Sequence, residues 1–319
     1  MRRIFLAPAV LVVLTSVVVA GAPAAAAPKC FGAAARDPEH PCLNPTRSVF
    51  PTPDEVSRVS ISYCAPMRRQ RDPEVCTFGA RAAKASAHVA LVGDSHALQW
   101  RTALDVVAHA ERWHAYSITT PGCFYSAAVV SFPLGLRALC TRWYRAVTAW
   151  FRRHPEVSTV FVSQNAPTPI DLAPGQTYRG VKAAGFRRAW SALPRTVKHV
   201  VVIRDTPFSS AATFACVRRV LAAGAQRAGP ACPIPGAAAL HRDTAVSAAR
   251  ALRSPRYGVV DLTAFFCGPR SCYPVIGGVL VHRDTDHIGV VYSKTLGPYL
   301  LRKVRRLMAS RSRAPVRSP

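Results

Sequence analysis

The segment Gly93-Asp94-Ser95-His96 directly follows the apolar run 88–92 and precedes a stretch with helical periodicity. A serine at such a strand-to-helix turn is exposed at the edge of a sheet, and nearby backbone N–H groups can stabilise an oxyanion. This combination is typical of a serine nucleophile in acyl transfer. The alternative is an ordinary helix cap, because Gly favours turns and Asp and Ser are favoured N-cap residues.

A second polar segment, Asp284-Thr285-Asp286-His287, lies near the C-terminus. A nucleophilic serine needs a base that accepts its proton, and the base needs a carboxylate that holds its tautomer. A D-x-x-H turn places both on one loop, so His287 is the candidate base and Asp284 the candidate carboxylate, with Asp286 as its rival. The alternative is again helix capping. Together with Ser95 after an early strand, the segment indicates a catalytic triad.

The elements that must position these residues are short Val- and Ile-rich runs that alternate with helical stretches. The runs cover 88–92, 114–118, 158–163, 198–203 and 257–262. The helical stretches cover 97–110, 138–153, 181–193, 236–253 and 290–307. This alternation predicts a three-layer α/β/α sandwich with a mainly parallel five-stranded sheet. Ligands of such sheets bind beyond the carboxyl ends of the strands, which is where Ser95 lies.

The chain is strongly basic, with 42 Lys and Arg against 16 Asp and Glu and a formal net charge of +26. Such a surface attracts polyanions, which for an exported protein are acidic cell-wall polymers or anionic lipid headgroups. Nucleic acid is the other common polyanion. We do not expect it as a partner, because no recognisable nucleic-acid-binding motif occurs.

The ten cysteines form an even set that lies wholly beyond residue 27, which indicates oxidised pairs in an exported protein. Their spacing favours pairing between neighbours in the chain: Cys30 with Cys42, Cys64 with Cys76, Cys123 with Cys140, Cys216 with Cys232, and Cys267 with Cys272. This connectivity is a hypothesis, because the spacing admits other pairings. Zinc-ligand spacings such as C-x-x-C are missing from the sequence, so we expect no metal site.

The N-terminal 27 residues have a basic start, an apolar run and an Ala-rich end, which is the layout of a secretory signal peptide. An uncleaved anchor is the alternative, because the apolar run approaches membrane-spanning length. The predicted organisation is a signal peptide over 1–27, a Cys- and Pro-rich extension over 28–85, one large domain over 86–307 and a basic disordered tail over 308–319. The expected location is outside the cytoplasm, in association with the cell wall.

The segments "LVGDSHA" at 91–97 and "RDTDH" at 283–287 resemble the SGNH (GDSL-type) hydrolase superfamily. The resemblance is closest to the SGNH domains attached or related to bacterial membrane O-acyltransferases that modify cell-surface polysaccharides. "CTFGA" at 76–80, "RDTP" at 204–207 and the long segment 261–287 support it. The resemblance covers about 76–307. The pattern G-x-S-x-A also approaches the nucleophile elbow of α/β-hydrolases, but there the acid comes from an earlier strand than the histidine.

Residue by residue, the resemblance implies that Ser95 is the nucleophile, His287 the general base and Asp284 its carboxylate. The implied oxyanion hole consists of the Ser95 backbone N–H, Gly122 and Asn165. The family's usual G-x-N-D is replaced by Ser163-Gln164-Asn165-Ala166, so Gln164 is an alternative donor to Asn165. Three further residues are candidates for supporting roles around the triad: Asp94, His96, which stands where the parent motif has leucine, and Asp205.

The resemblance also implies the activity, a secreted serine esterase or O-acetyltransferase that works through an acyl-enzyme without a cofactor. The substrate class would be acetyl esters of cell-wall or surface carbohydrate, with a membrane acyltransferase as a further partner that donates the acyl group. Hydrolysis and transfer both stay open, because they differ by pocket shape. The alternative is a non-catalytic polysaccharide-binding protein that retains the fold. Loss of the triad would mark such a protein, and here the triad residues are present.

Overall fold

The computed structural model describes residues 30–71 and 73–312, so the predicted signal peptide over 1–27 lies outside the described residues. The strands are β1 (Ala65–Arg71), β2 (Glu74–Gly79), β3 (Ala87–Gly93), β4 (Trp113–Thr119), β5 (Val157–Ser163), β6 (His199–Ile203), β7 (Ile234–Pro235), β8 (Tyr257–Val260), β9 (Ser271–Cys272), β10 (Val275–Ile276) and β11 (Val279–Leu280). The helices are α1 (Ser95–Leu98), α2 (Arg101–Glu111), α3 (Leu134–Arg153), α4 (Tyr178–Ser191), α5 (Ala211–Ala223), α6 (Ala228–Ala231), α7 (Gly236–Ala239), α8 (Thr244–Ala251) and α9 (Val290–Ser312). Short 3-10 helices cover Gly32–Arg36, Val56–Arg58, Ala82–Lys84 and Thr263–Phe265.

Within the described ranges, a central sheet of seven strands has the order β1-β2-β4-β3-β5-β6-β8. The five predicted strands are confirmed, and they pair in parallel from β4 through to β8. Two strands were not predicted. β1 and β2 come from the Cys- and Pro-rich extension and add to the β4 edge in antiparallel orientation. The extension therefore contributes to the sheet itself.

Helices cover both faces of the sheet, which confirms the three-layer sandwich. Alternate residues of β3 point to opposite faces, so Leu91 joins one core cluster and Val92 the other. The Leu91 cluster includes buried residues of α2 and α9, such as Leu104 and Leu296. The Val92 cluster includes buried residues of α3, α4 and α8, such as Trp150. The near-continuous burial of β3 follows from this double cover.

All ten cysteines lie in the described ranges and form the five predicted pairs: Cys30–Cys42, Cys64–Cys76, Cys123–Cys140, Cys216–Cys232 and Cys267–Cys272. Each bridge closes a short loop, with 5 residues of sequence separation in the shortest and 17 in the longest. The N-terminal segment is also bound to α9, where Asp37 forms an ion pair with Arg302 at 2.6 Å. In 30–71 and 73–312, helices of membrane-spanning length and apolarity are not found.

Candidate active site

The turn that carries Ser95 depends on a glycine at the end of β3. Gly93 has a φ of +150°, and a Cβ on it would lie 2.1 Å from the carbonyl oxygen of Ser163 on β5. Only glycine therefore allows the two strands to approach here. Asp94 then caps α1, because its Oδ1 accepts the His96 N–H at 2.8 Å. Ser95 follows as the first residue of that helix, partly exposed at the carboxyl edge of the sheet.

The turn that carries His287 is closed by a bridge between His282 and Ile288 and by a hydrogen bond from the Arg283 N–H to the His287 carbonyl at 3.0 Å. Gln99 connects this turn to the Ser95 helix. Its Oε1 accepts the Ile288 N–H at 2.7 Å, although the two residues are 189 positions apart. Because Gln99 lies one turn after Ser95, the two halves of the predicted triad are held against each other.

Ser95, Asp284 and His287 line the same pocket, which has a volume of about 180 Å³. Ile61 of the N-terminal extension and Leu98 of α1 contribute apolar lining. His287 Nε2 is buried and has no hydrogen-bond partner among the described residues. This arrangement is expected of a general base whose proton-accepting nitrogen is not yet hydrogen-bonded. Catalytic hydrogen bonds often become short only when substrate binds.

Two carboxylates face the other nitrogen of the His287 ring. Both oxygens of Asp284 lie 3.0 Å from Nδ1, and Oδ1 of Asp286 lies 3.2 Å away. Burial acts to lower the pKa of His287, but the hydrogen bonds with Asp284 and then Asp286 outweigh it and raise the pKa to about 9. The hydrogen bond with His287, followed by the contact with His96, holds the pKa of Asp286 well below its usual range.

The predicted oxyanion-hole residues lie on turns that follow neighbouring strands. Gly122, with a φ of +77°, is in the turn after β4, which begins where the Thr120 N–H donates to the Gly93 carbonyl at 3.1 Å. Asn165 follows β5, and its amide Nδ2 lies 3.5 Å from Oδ2 of Asp286. Gln164 points elsewhere, because its amide nitrogen donates to the buried Asp243 at 3.1 Å.

A set of buried side chains lies beneath the pocket, and we call it the buried layer: Asp94, His96, Lys182, Asp205 and Asp243. Asp94 connects two turns, since its Oδ2 accepts the Asn165 N–H at 2.9 Å. Asp205 accepts the Ala166 N–H at 2.8 Å and lies 2.6 Å from His96 Nδ1. Asp243 accepts the Asp205 N–H at 3.0 Å. These bonds fix the loops after β3, β5 and β6 relative to one another.

Two members of the buried layer were missed by the sequence analysis. Lys182 is fully buried on α4, and its Nζ donates to the carbonyl oxygens of Ala166 at 2.7 Å and Thr168 at 3.1 Å. Burial lowers its pKa to about 8. A signal for Lys182 existed, because it falls on the apolar stripe of α4 with Phe186. Asp243, the N-cap of α8, carries no comparable local signal beyond its capping role.

One group within the described residues has the proximity expected of metal ligands: His96, Asp286 and His287 have donor atoms within 4.8 Å of one another. Each histidine is already held through Nδ1 by a carboxylate, His96 by Asp205 and His287 by Asp284. Asp286 lies between the two rings.

Comparison with known proteins identifies the family of this chain. The family model described as "SGNH domain (fused to AT3 domains)" matches residues 63–302. This chain belongs to that SGNH family. The match begins at residue 63, so it includes both antiparallel edge strands. No curated protein matches the sequence.

Among solved structures, the SGNH fold of this chain is similar to the periplasmic domain of a lipopolysaccharide acetyltransferase from Salmonella ser. Paratyphi A. The TM-score is 0.51 at 11% sequence identity, and the alignment covers 73% of this chain and 90% of that domain. At this identity the likeness concerns the fold. The SGNH family match supports an enzyme of the acyl-transfer or ester-hydrolysis type.

Proposed function

We propose that this protein is an extracytoplasmic serine esterase or O-acetyltransferase that acts on acetyl esters of cell-wall or surface carbohydrate. The observation that carries the proposal is the Asp284–His287 pair, which shares a pocket with Ser95 and leaves His287 Nε2 without a partner among the described residues. A base with one nitrogen held by carboxylate and the other free is arranged to take a proton from a hydroxyl.

In the first half of the reaction, His287 Nε2 accepts the Ser95 hydroxyl proton while the serine oxygen attacks the acyl carbonyl carbon. The bond between that carbon and the sugar oxygen breaks, the proton passes to the sugar oxygen, and the acyl group stays on Ser95. In the second half, water or a sugar hydroxyl gives a proton to His287 and attacks the acyl carbon. The bond between that carbon and the Ser95 oxygen breaks, and His287 returns the proton to Ser95. Asp284 holds the His287 tautomer and stabilises the imidazolium in both halves.

For the developing oxyanion, we assign the Ser95 N–H, Gly122 and the Asn165 amide as donors. The assignment of Asn165 over Gln164 is supported by the position of the Gln164 amide nitrogen, which donates to Asp243 in the buried layer. The Asn165 amide instead lies near Asp286, on the turn that carries His287. A donor that is already committed to a buried carboxylate is not free to turn toward substrate.

Charge and disulfides support the location and the substrate class. Five disulfides are typical of an oxidising compartment outside the cytoplasm. The formal charge of +26 favours an acidic polymer, such as peptidoglycan or teichoic-type chains, over a neutral glycan. For the transferase form of the reaction, we propose a membrane acyltransferase as the partner that supplies the acyl group.

The experiment that tests this function is hydrolysis of p-nitrophenyl acetate by the purified protein beside Ser95→Ala. A matched control is Ser191→Ala, which removes a hydroxyl from the exposed end of α4. We expect turnover in the wild type and the control, and its loss in Ser95→Ala. Equal turnover in all three would contradict a Ser95 nucleophile.

The same proteins with an O-acetylated glycan separate the two forms of the reaction. Release of free acetate indicates an esterase, and growth of acetyl ester on an added acceptor glycan indicates a transferase. A folded wild type that binds the glycan without either reaction would favour the non-catalytic binding protein, which retains the fold but not the chemistry.

A further inference from the structure

His96 occupies an unusual position for a titratable side chain. Its ring is fully buried, and it comes directly after the proposed nucleophile Ser95. Nδ1 lies 2.6 Å from Asp205 Oδ1, a short distance typical of a charge-assisted hydrogen bond. Asp205 is well held in turn, because it accepts the N–H groups of Ala166 and Thr206.

The opposite side of the His96 ring faces the proposed catalytic turn. Nε2 lies 3.6 Å from Oδ2 of Asp286, and it has no hydrogen-bond partner among the described residues. The His96 and His287 ring centroids are 4.8 Å apart. Five side chains thus alternate between carboxylate and imidazole from the end of β6 to the pocket: Asp205, His96, Asp286, His287 and Asp284.

We propose that His96 is a buried cation, fixed by Asp205, that counterbalances Asp286 and so keeps the general base His287 from being held too firmly in its protonated form. His96 is a positioning residue in this role, since it acts on His287 through Asp286 and through space. The inference rests on the proposed function, because it concerns the base of that reaction.

The physical argument follows from the two carboxylates that face His287. A base next to both Asp284 and Asp286 favours its protonated form, in which it accepts no proton from serine. A positive charge at His96 attracts Asp286 and repels a proton on His287, so both effects favour the neutral base. Burial works to lower the pKa of His96, but Asp205 and then Asp286 outweigh it and raise the pKa to about 10.

Other charged groups face this series from each packed element. From the β3 turn Asp94 contributes a further negative charge near His96, and Arg283 lies 3.9 Å from Asp284. Further titratable neighbours are Asp243, which accepts the Asp205 N–H, and the buried Lys182, whose ammonium interacts electrostatically with Asp94, Asp205 and Asp243. The His282 ring bonds to the Pro207 carbonyl, and His241 contacts Phe208 beside His96. Burial lowers the pKa of His282 to about 4, so it adds no positive charge at neutral pH.

The test is an NMR pH titration of the histidine rings in the full protein, which reads the charges directly and does not depend on turnover. In the wild type we expect His96 to stay protonated at both nitrogens at pH 8. In His96→Leu and in Asp205→Asn, we expect the pKa of His287 to rise by about one unit, because the cation is removed or neutralised. In Asp286→Asn, we expect it to fall by a similar amount.

The opposite signs separate this role from a structural one, since a loss of packing alone would not move the pKa of His287 up in one variant and down in another. A neutral His96 at pH 7 in the wild type would overturn the proposal, as would an unchanged His287 titration in the folded Asp205→Asn and Asp286→Asn variants. The acid limb of kcat/KM for ester hydrolysis should move with the NMR value. If the limb stays in place while the NMR value moves, the charge effect stands and the role of His287 as base is wrong.

Discussion

The His96 and His287 rings lie 4.8 Å apart, yet their surroundings differ. His287 is on the pocket wall, which we define as Ser95, Asp284 and His287, and its side chain is 24% exposed. His96 is in the buried layer, and its side chain is fully buried between two carboxylates. We therefore propose different roles for the same residue type, a proton acceptor at the partly exposed His287 and a fixed charge at the fully buried His96.

The comparison extends to the aspartates. Asp284 is 46% exposed and directs its carboxylate at one ring nitrogen, whereas Asp243 is buried and accepts N–H groups from two loops and from the first turn of α8. Burial raises the pKa of Asp243. Buried groups of this kind hold loops in place, and losing one leaves several donors without acceptors. The pocket wall should therefore control rate, and the buried layer should control stability.

The largest effect is expected for His287→Gln on the pocket wall. We expect kcat/KM for p-nitrophenyl acetate to fall by about 10⁴-fold, because the base is lost while the serine and the oxyanion donors remain. The melting temperature should stay near that of the wild type, since the side chain is partly exposed and Nε2 has no partner among the described residues. Retention of a tenth or more of the activity would show that the base is another group.

Asp284→Asn on the pocket wall and Asp286→Asn beside it test which carboxylate orients His287. We expect Asp284→Asn to reduce kcat by about 10³-fold, because an amide no longer holds the correct tautomer of His287. Asp286→Asn should cost about tenfold or less, since Asp284 offers two oxygens at 3.0 Å and Asp286 one at 3.2 Å. Steady-state kinetics measured at high pH checks the order, and the reverse order would move the carboxylate role to Asp286.

Asp243→Ala tests the buried layer. We expect a loss of about 3 kcal/mol in the free energy of unfolding, because the α8 cap is lost and buried N–H groups are left without an acceptor. The matched control is Asp54→Ala, an exposed carboxylate paired with Arg218, for which we expect less than about 1 kcal/mol. Urea unfolding with the disulfides intact measures both. Equal losses would remove the distinction between the buried layer and an ordinary surface pair.

Lys182→Met is expected to cost about 1–2 kcal/mol of unfolding free energy, because the carbonyl oxygens of Ala166 and Thr168 lose the charged donor and keep only the Tyr178 hydroxyl, while the volume is kept. Lys198→Met, at an exposed site, serves as the control. The effect should also appear in kcat, since the loop held by Lys182 carries Asn165. A loss of stability with no change in kcat would show that Lys182 does not influence the proposed oxyanion hole.

The smallest perturbation is pH itself. His287 must be neutral to act as base, and Asp284 and Asp286 raise its pKa to about 9 against the effect of burial. We therefore expect kcat/KM to rise with pH below about 9 and to level off above it. The rate of Ser95→Ala is subtracted at each pH to remove background hydrolysis. If kcat/KM instead levels off above the ordinary pKa of histidine, about 6.5, neither carboxylate raises the pKa of His287.

Local patterns predicted much of the fold. Strands such as 88–92 and helices such as 290–307 were predicted because burial on a two-faced sheet requires apolar runs and helical periodicity. The five disulfide pairs were also predicted, since each joins neighbours in the chain. The two edge strands β1 and β2 were missed, because an antiparallel edge needs little apolar sequence and β1 reads as a polar segment.

The sequence alone determined which residues could do the proposed chemistry, since Gly93-Asp94-Ser95 and Asp284-x-x-His287 are local patterns. The tertiary structure decided the contacts between them. It placed Gln164 on Asp243, Asn165 beside Asp286 and the Lys182 ammonium on the Ala166 carbonyl. Such contacts join residues that are distant in the chain and depend on how the loops after β3, β5 and β6 meet. The physical reason is that the role of a histidine or an aspartate depends on its burial and on its hydrogen-bond partners. Both are set by packing between distant segments, so no single segment of the sequence encodes them.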